Sequence, residues 1–242
     1  MLKPVTTLAC AAAAAGILSA QQTPALSPEK IKRIEQVISI EMSRRSIPGL
    51  TVAIGQGPQV RWEGAYGLAD LENMVPMTSS TVLRTASLAK PMTAVAAMQL
   101  VEAGKLVLDA PVQRYVPTFP QKPWPLNVRH LLCHQGGIRT YQGDEMQSTR
   151  HYRDNIDALK IFQGDPLLFE PGTRVAYSTY GFSLLGAVIE GAAGVDYADY
   201  IRERVFKPAK MTATDVDDVF KIVPHRAHGY YQIGRASCRE RV

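Results

Sequence analysis

The run from Ser87 to Ala103 constrains the fold of this chain more than any other segment. Its apolar residues, among them Met92, Val95, Ala96, Met98, Leu100 and Val101, lie nearly all round a helix, and such a helix is normally buried. Pro91 narrows the placement, because proline sits without breakage only in a helix's first turn; the start must therefore lie close to Ser87. Gly104 supplies the stop. A buried helix needs a domain around it, and 242 residues suffice for one large domain or two small ones.

The flanking segments predict a mixed architecture. Ser27-Pro28-Glu29 opens a helix, with Ser as N-cap and Pro at the first helical position, and Ile31, Ile34, Ile38 and Met42 carry one apolar face to about Ser46. Leu50 to Ile54 reads as a buried strand, Gly55 to Pro58 as a turn and Gln59 to Gly67 as the hairpin partner. A helix followed by antiparallel strands points to an α+β layer. After the Ser87 helix come Pro117, Pro120, Pro123 and Pro125, then a short helix from Asn127 to His134 closed by Gly136-Gly137. A further helix is predicted from about Asp154 to Phe162, a turn at Glu170-Pro171-Gly172, and an apolar helix from Gly181 to Ala193.

The two ends have a different character. Lys3 precedes an apolar run from Val5 to Leu18 and then Ser19-Ala20, the pattern of a secretory signal peptide over residues 1–20. A lipoprotein reading at Cys10 leaves the apolar run on the wrong side of the cysteine. The run is short for a membrane span and no second one follows, so no spanning segment is expected. Residues 233–242 have no helix or strand period and resemble a translated sequencing-library adapter, which leaves 21–232 as the native body. Only Cys133 of the 3 cysteines then lies in that body, so the odd count carries no disulfide meaning. The formal charge of +5 comes from 27 basic and 22 acidic residues; setting aside Lys3, Arg235, Arg239, Glu240 and Arg241 leaves 23 against 21, or +2. The remaining basic residues are scattered, which excludes a nucleic-acid footprint. At 46% hydrophobic and 20% charged the chain is neither disordered nor a coiled coil.

Ser87-Leu88-Ala89-Lys90 places a hydroxyl and an amine three residues apart at a helix N-terminus, where they share a face and can touch. A serine hydroxyl becomes a useful nucleophile when a neighbouring base takes its proton, and a desolvated lysine can serve. The positive end of the helix favours developing negative charge and disfavours the ammonium form. Alone the spacing is equally that of an N-cap serine beside a solvated lysine. Tyr177-Ser178-Thr179 adds a second hydrogen-bonding partner in a short polar stretch just before a buried helix, where the simple alternative is a core-filling tyrosine.

With Ser-x-x-Lys and Tyr-Ser-Thr in this order, the chain resembles the serine β-lactamase and penicillin-binding-protein superfamily, most closely the class C branch with its esterase and D-amino-peptidase relatives. Ile47 to Leu50, Leu83 to Lys90, Glu102 to Leu106, Arg129 to His134 and Glu170 to Gly172 match that family's segments in order, and Asp109 to Gln113 and Gly137 to Arg139 look like its mitochondrial β-lactamase-like branch. The resemblance implies an α+β, β-lactamase/transpeptidase-like fold: an antiparallel sheet flanked by helices, with an all-α region over roughly 105–215 and the C-terminal strands of the sheet missing from this chain. It implies Ser87 as acylated nucleophile, Lys90 as its base or proton relay, Tyr177 as proton shuttle to the leaving group, and the Ser87 backbone N–H as one oxyanion donor. Thr179 stands where the class C pattern has asparagine and is the expected substrate contact; a hydroxyl offers less hydrogen-bonding capacity than a carboxamide, which disfavours penicillin as the natural substrate.

The family's third motif, a Lys- or His-x-Gly strand, has no match, since His228-Gly229 lacks the intervening residue. The chain alone is therefore expected to be poorly folded and inactive. The expected function is that of a secreted or periplasmic serine hydrolase acting on a peptide, ester or β-lactam-like substrate, with no cofactor and no metal. A non-catalytic penicillin-recognising or scaffolding role is the alternative. His130, Cys133 and His134 have the spacing of a partial metal-ligand set but lack the glutamate of His-Glu-x-x-His. A Ser-His-Asp hydrolase is disfavoured because no Gly-x-Ser-x-Gly elbow occurs.

Overall fold

The computed structural model describes residues 26–230, with the exception of 149 and 219. The signal peptide at 1–20 and the tail at 233–242 lie outside the described residues. Helix α1 spans Pro28–Arg45; the Ser27 hydroxyl accepts the Lys30 N–H at 3.4 Å, and Ser46 closes the helix in the left-handed region at φ 53°. Strands β1 (Gly49–Gln56), β2 (Gln59–Asp70) and β3 (Val75–Pro76) form an antiparallel sheet in the order β1-β2-β3, with Ile54 opposite Trp62 and a bulge just beyond. Gly67, at φ +74°, is required where the chain passes Pro48, whose carbonyl oxygen lies only 2.2 Å from where a Cβ would stand.

A 3-10 turn at Ala86–Leu88 leads into α2 (Ala89–Glu102), which puts Pro91 in the first turn as the sequence requires. Helices α3 (Val128–Leu132), α4 (Asn155–Leu159), α5 (Thr179–Ala193) and α6 (Tyr197–Ile201) follow, and α6 runs into one wide π turn at Arg202–Phe206. Helix α5 is the axis of this region and touches α2, α3, α4 and α6. Its Leu184, Leu185, Val188 and Ile189 are fully buried with Leu100, Val112, Leu126, Leu131 and Leu159. At Gly191 a Cβ would stand 2.0 Å from the Tyr115 carbonyl oxygen, so only glycine permits this approach.

Several expectations need correction. The residues Leu50 to Ile54 were expected to be buried, but β1 is half-buried to exposed, because the core lies among the helices and the described sheet is three strands wide. Helix α2 buries only one face, through Thr93, Ala96, Ala97 and Leu100, while Val95 (49%) and Met98 (42%) are exposed. Helix α3 stops at Leu132 because His134 takes a left-handed conformation at φ 56°, before the expected glycines are reached. Helix α4 ends at Leu159, and α5 starts at Thr179 because Ser178 caps it.

The segment after 224 returns to the sheet. Val82 donates its N–H to the His225 carbonyl at 2.9 Å, Ala227 donates to Val82 at 2.9 Å and His228 to Ala69 at 2.9 Å. The Tyr230 hydroxyl accepts the Leu71 N–H at 2.7 Å and donates to the Glu72 carboxylate, and His228 lies 3.7 Å from Asp70. His228 is thus part of a clip at the end of β2. Among the described residues, no helix is long and apolar enough to cross a membrane.

Candidate active site

Ser87 sits in the 3-10 turn just ahead of α2, and Ala86 before it has φ 45°, a left-handed conformation that turns the chain sharply. Lys90, the second residue of α2, places its Nζ 3.3 Å from Ser87 Oγ. The spacing of three residues does this locally, as the sequence predicts. Tyr177 arrives from ninety residues away and donates its hydroxyl to Ser87 Oγ at 2.6 Å. The Lys90 ammonium also lies 4.8 Å from the centre of the Tyr177 ring and 5.7 Å from that of Phe182.

The phenol of Tyr177 is held below its ordinary value, first by hydrogen bonding with Lys90 and then with Ser87; burial opposes this, and the Lys90 charge and the Thr179 hydroxyl add smaller contributions in the lowering direction. The ring is 52% exposed, so solvent tempers this effect and a ligand has open access. Thr179, the first residue of α5, is half-buried and adjoins the Tyr177 hydroxyl. All four residues singled out from the sequence therefore meet at one place.

The support beneath them was less visible in the sequence. Ser178 is buried; its Oγ accepts the Gly181 N–H at 3.0 Å and donates to the Arg139 carbonyl at 2.9 Å. A serine directly before an apolar helix is an N-cap signal, and it was available in Tyr-Ser-Thr. Arg139, itself buried, holds Glu145 with two hydrogen bonds of 2.6 and 2.9 Å and Asp165 with one of 2.5 Å, and the Tyr180 hydroxyl donates to Glu145 at 2.9 Å. This network keeps the Glu145 carboxyl down at about 2, Arg139 being the main cause. Burial, with Glu145 beside it, pushes the Tyr180 phenol up.

The two histidines of the metal-like spacing are engaged separately. His130 belongs to the cap of α3: its backbone N–H donates to Asn127 Oδ1 at 2.9 Å, while its Nδ1 accepts the Asn127 N–H at 3.4 Å. His134 accepts the Ser178 N–H on Nδ1 at 3.3 Å, and its ring lies tilted against that of Tyr177. Cys133 between them is exposed.

A serine, a lysine and a tyrosine gathered at the heads of α2 and α5, in a chain that combines an antiparallel sheet with a helical region, are the arrangement of a β-lactamase/transpeptidase-like protein. The chain belongs to the Beta-lactamase family, whose model matches residues 34–242. It is 29% identical over 252 residues to the mitochondrial serine beta-lactamase-like protein LACTB of Homo sapiens, covering 76% of this chain and 46% of that protein. It is 32% identical over 187 residues to penicillin-binding protein 4* of Bacillus subtilis (strain 168), covering 74% of this chain and 41% of that one. Among solved structures it is similar to a penicillin-binding protein from Bacillus halodurans (TM-score 0.68, 30% identity, 83% of this chain and 62% of that one). It is also similar to EstCE1, a hydrolase with promiscuous acyltransferase activity (TM-score 0.65, 29% identity, 74% and 51%). The chain spans about half the length of the curated relatives it matches. The family is in general one of serine hydrolases.

Proposed function

We propose that this chain carries the nucleophilic half of a serine hydrolase that transfers an acyl group to water through an ester on Ser87. The observation that carries this reading is the contact of Ser87 Oγ with both the Tyr177 hydroxyl at 2.6 Å and Lys90 Nζ at 3.3 Å. At rest the phenol donates to Ser87. With Tyr177 ionised, which Lys90 favours, the direction reverses and the phenolate oxygen takes the serine proton. Ser87 Oγ then bonds to the substrate carbonyl carbon, and the carbonyl electron pair moves onto oxygen, facing the Ser87 backbone N–H. Collapse of that adduct breaks the bond to the leaving group, which receives the proton from Tyr177. A water molecule gives its proton to Tyr177, attacks the acyl carbon and displaces Ser87, which regains that proton. Lys90, 3.3 Å from Ser87 Oγ and hydrogen-bonded with the phenol, stabilises the phenolate.

A peptide or ester substrate of the D-amino-peptidase or esterase type suits the site better than a β-lactam. Thr179 offers one hydroxyl toward the substrate, and part of its capacity is turned to Tyr177. The hydrolase activity of EstCE1 is in keeping with this choice. The apolar run at 5–18 supports export to the periplasm or the medium. The complete gene product that carries these residues is expected to hydrolyse a p-nitrophenyl ester at least tenfold faster, in kcat/KM, than it opens a penicillin. Penicillin turnover faster than the ester would contradict the substrate assignment, and turnover of neither would favour the scaffolding role.

A further inference from the structure

His134 brackets Tyr177 from both sides. Its carbonyl oxygen accepts the N–H of Ala176 at 2.8 Å, and its Nδ1 accepts the N–H of Ser178 at 3.3 Å. The residues immediately before and after Tyr177 are thus tied to one histidine. The imidazole also faces the phenol itself, with ring centres 4.5 Å apart, and its other neighbour is Phe182 at 5.0 Å. The same Phe182 and Tyr177 rings form the surface over which Lys90 extends. The left-handed backbone of His134, φ 56°, both ends α3 and turns the carbonyl and the side chain toward the 176–178 segment.

We infer that His134 is the positioning residue for Tyr177, fixing the phenol against Ser87 through this pair of hydrogen bonds and the tilted ring contact. The inference rests on the proton-transfer role proposed above for Tyr177. Nδ1 can accept from Ser178 only while it carries no proton, so the ring works as the neutral tautomer protonated on Nε2. Burial, and secondarily the charge of Lys90, hold the imidazole below its ordinary value, which keeps that tautomer in place around neutrality.

Substitution by alanine would mix two effects, because φ 56° strains any residue with a Cβ that lacks a local hydrogen bond. Glycine and asparagine separate them. His134→Gly keeps the backbone and the Ala176 bond but removes acceptor and ring. His134→Asn tolerates the left-handed conformation and returns an acceptor, Oδ1, at the position of Nδ1. In the complete gene product, His134→Gly is expected to slow acylation of Ser87 by an aryl ester by about a hundredfold, the scale of an ångström's misplacement, with KM and melting temperature little changed. His134→Asn is expected to stay within about threefold of the parent protein, because the bracket persists. A second readout needs no turnover: the ultraviolet titration of Tyr177, taken as the difference from Tyr177→Phe, is expected to move up toward an ordinary phenol in His134→Gly and to stay put in His134→Asn. If both variants acylate and titrate like the parent, or both fall equally, the inference is overturned. A parent protein that forms no acyl-enzyme but shows the titration shift would sink the proposed hydrolase and leave the positioning role standing.

Discussion

Ser87 reaches Tyr177 from a strained stretch of backbone. Ala86 is at φ 45°, a conformation that costs a residue with a Cβ about 1 kcal/mol or more and that glycine adopts freely. The strain persists because the 3-10 turn and α2 follow at once, and it aims the serine hydroxyl at the tyrosine. Relief of strain and the added freedom of the unfolded chain oppose each other in Ala86→Gly. That variant is expected to melt within about 1 kcal/mol of the parent, yet to acylate at least tenfold more slowly, because Ser87 is no longer held to one direction. A rate equal to the parent's would show that the backbone conformation has no part in presenting the nucleophile. Ser87 and Lys90 were legible as a pair because helical spacing alone makes them neighbours. Tyr177 was not legible in that way: nothing local relates residue 177 to residue 87, and only the resemblance to a family linked them. His134 is not legible as a partner of Tyr177, because its four-residue spacing from His130 cannot show that the backbone turns left-handed just after α3 and sends the ring to another segment.

At the scale of elements, the placement of Tyr177 depends on how α5 begins. Ser178 caps α5 and is tied to the Arg139 carbonyl, while the Arg139 side chain is held by Glu145 and Asp165. Glu145 has its carboxyl lowered to about 2 in the folded protein, against an ordinary 4.5. A depressed carboxyl contributes stability that is fully present above its unfolded value and disappears as pH falls through the folded one. The loss at this site therefore falls between about 4.5 and 2. Melting curves across that range are expected to show a steeper acid decline in the parent than in Glu145→Gln, which should melt lower at pH 7 and converge with the parent near pH 2. Parallel curves would mean that the Arg139 network does not hold this end of the helix. The caps of α1 were legible because Ser27-Pro28 is a local signal, whereas α6 and the two-residue β3 carry no period long enough to read. The sequence placed the start of α5 two residues late, at Gly181, by weighing apolar residues over the capping serine.

Across the whole molecule the core and the reactive cluster are unevenly distributed. The large buried side chains come from α5, the helices it touches and the loops between them, among them Leu106, Val112, Val116 and Leu126, while the described sheet is three strands wide and largely half-buried. The α+β layering was legible from the change of period between the hairpin and the helices. The one-sided burial of α2 was not, because an all-round apolar pattern does not say which neighbours the chain supplies. Ser87 and Lys90 lie at the head of α2, Tyr177 and Thr179 at the head of α5, and packing between these two helices is what closes the ninety-residue gap. Acylation of Ser87 therefore reports the assembly of the whole site. The most direct measurement is peptide mapping by mass spectrometry after treatment of the complete gene product with a fluorophosphonate. One adduct is expected, on the peptide that contains Ser87, absent in Ser87→Ala and at least a hundredfold slower to form in Tyr177→Phe and in Lys90→Ala. An adduct on a different residue, or labelling of Ser87 that Tyr177→Phe and Lys90→Ala leave unchanged, would contradict the account.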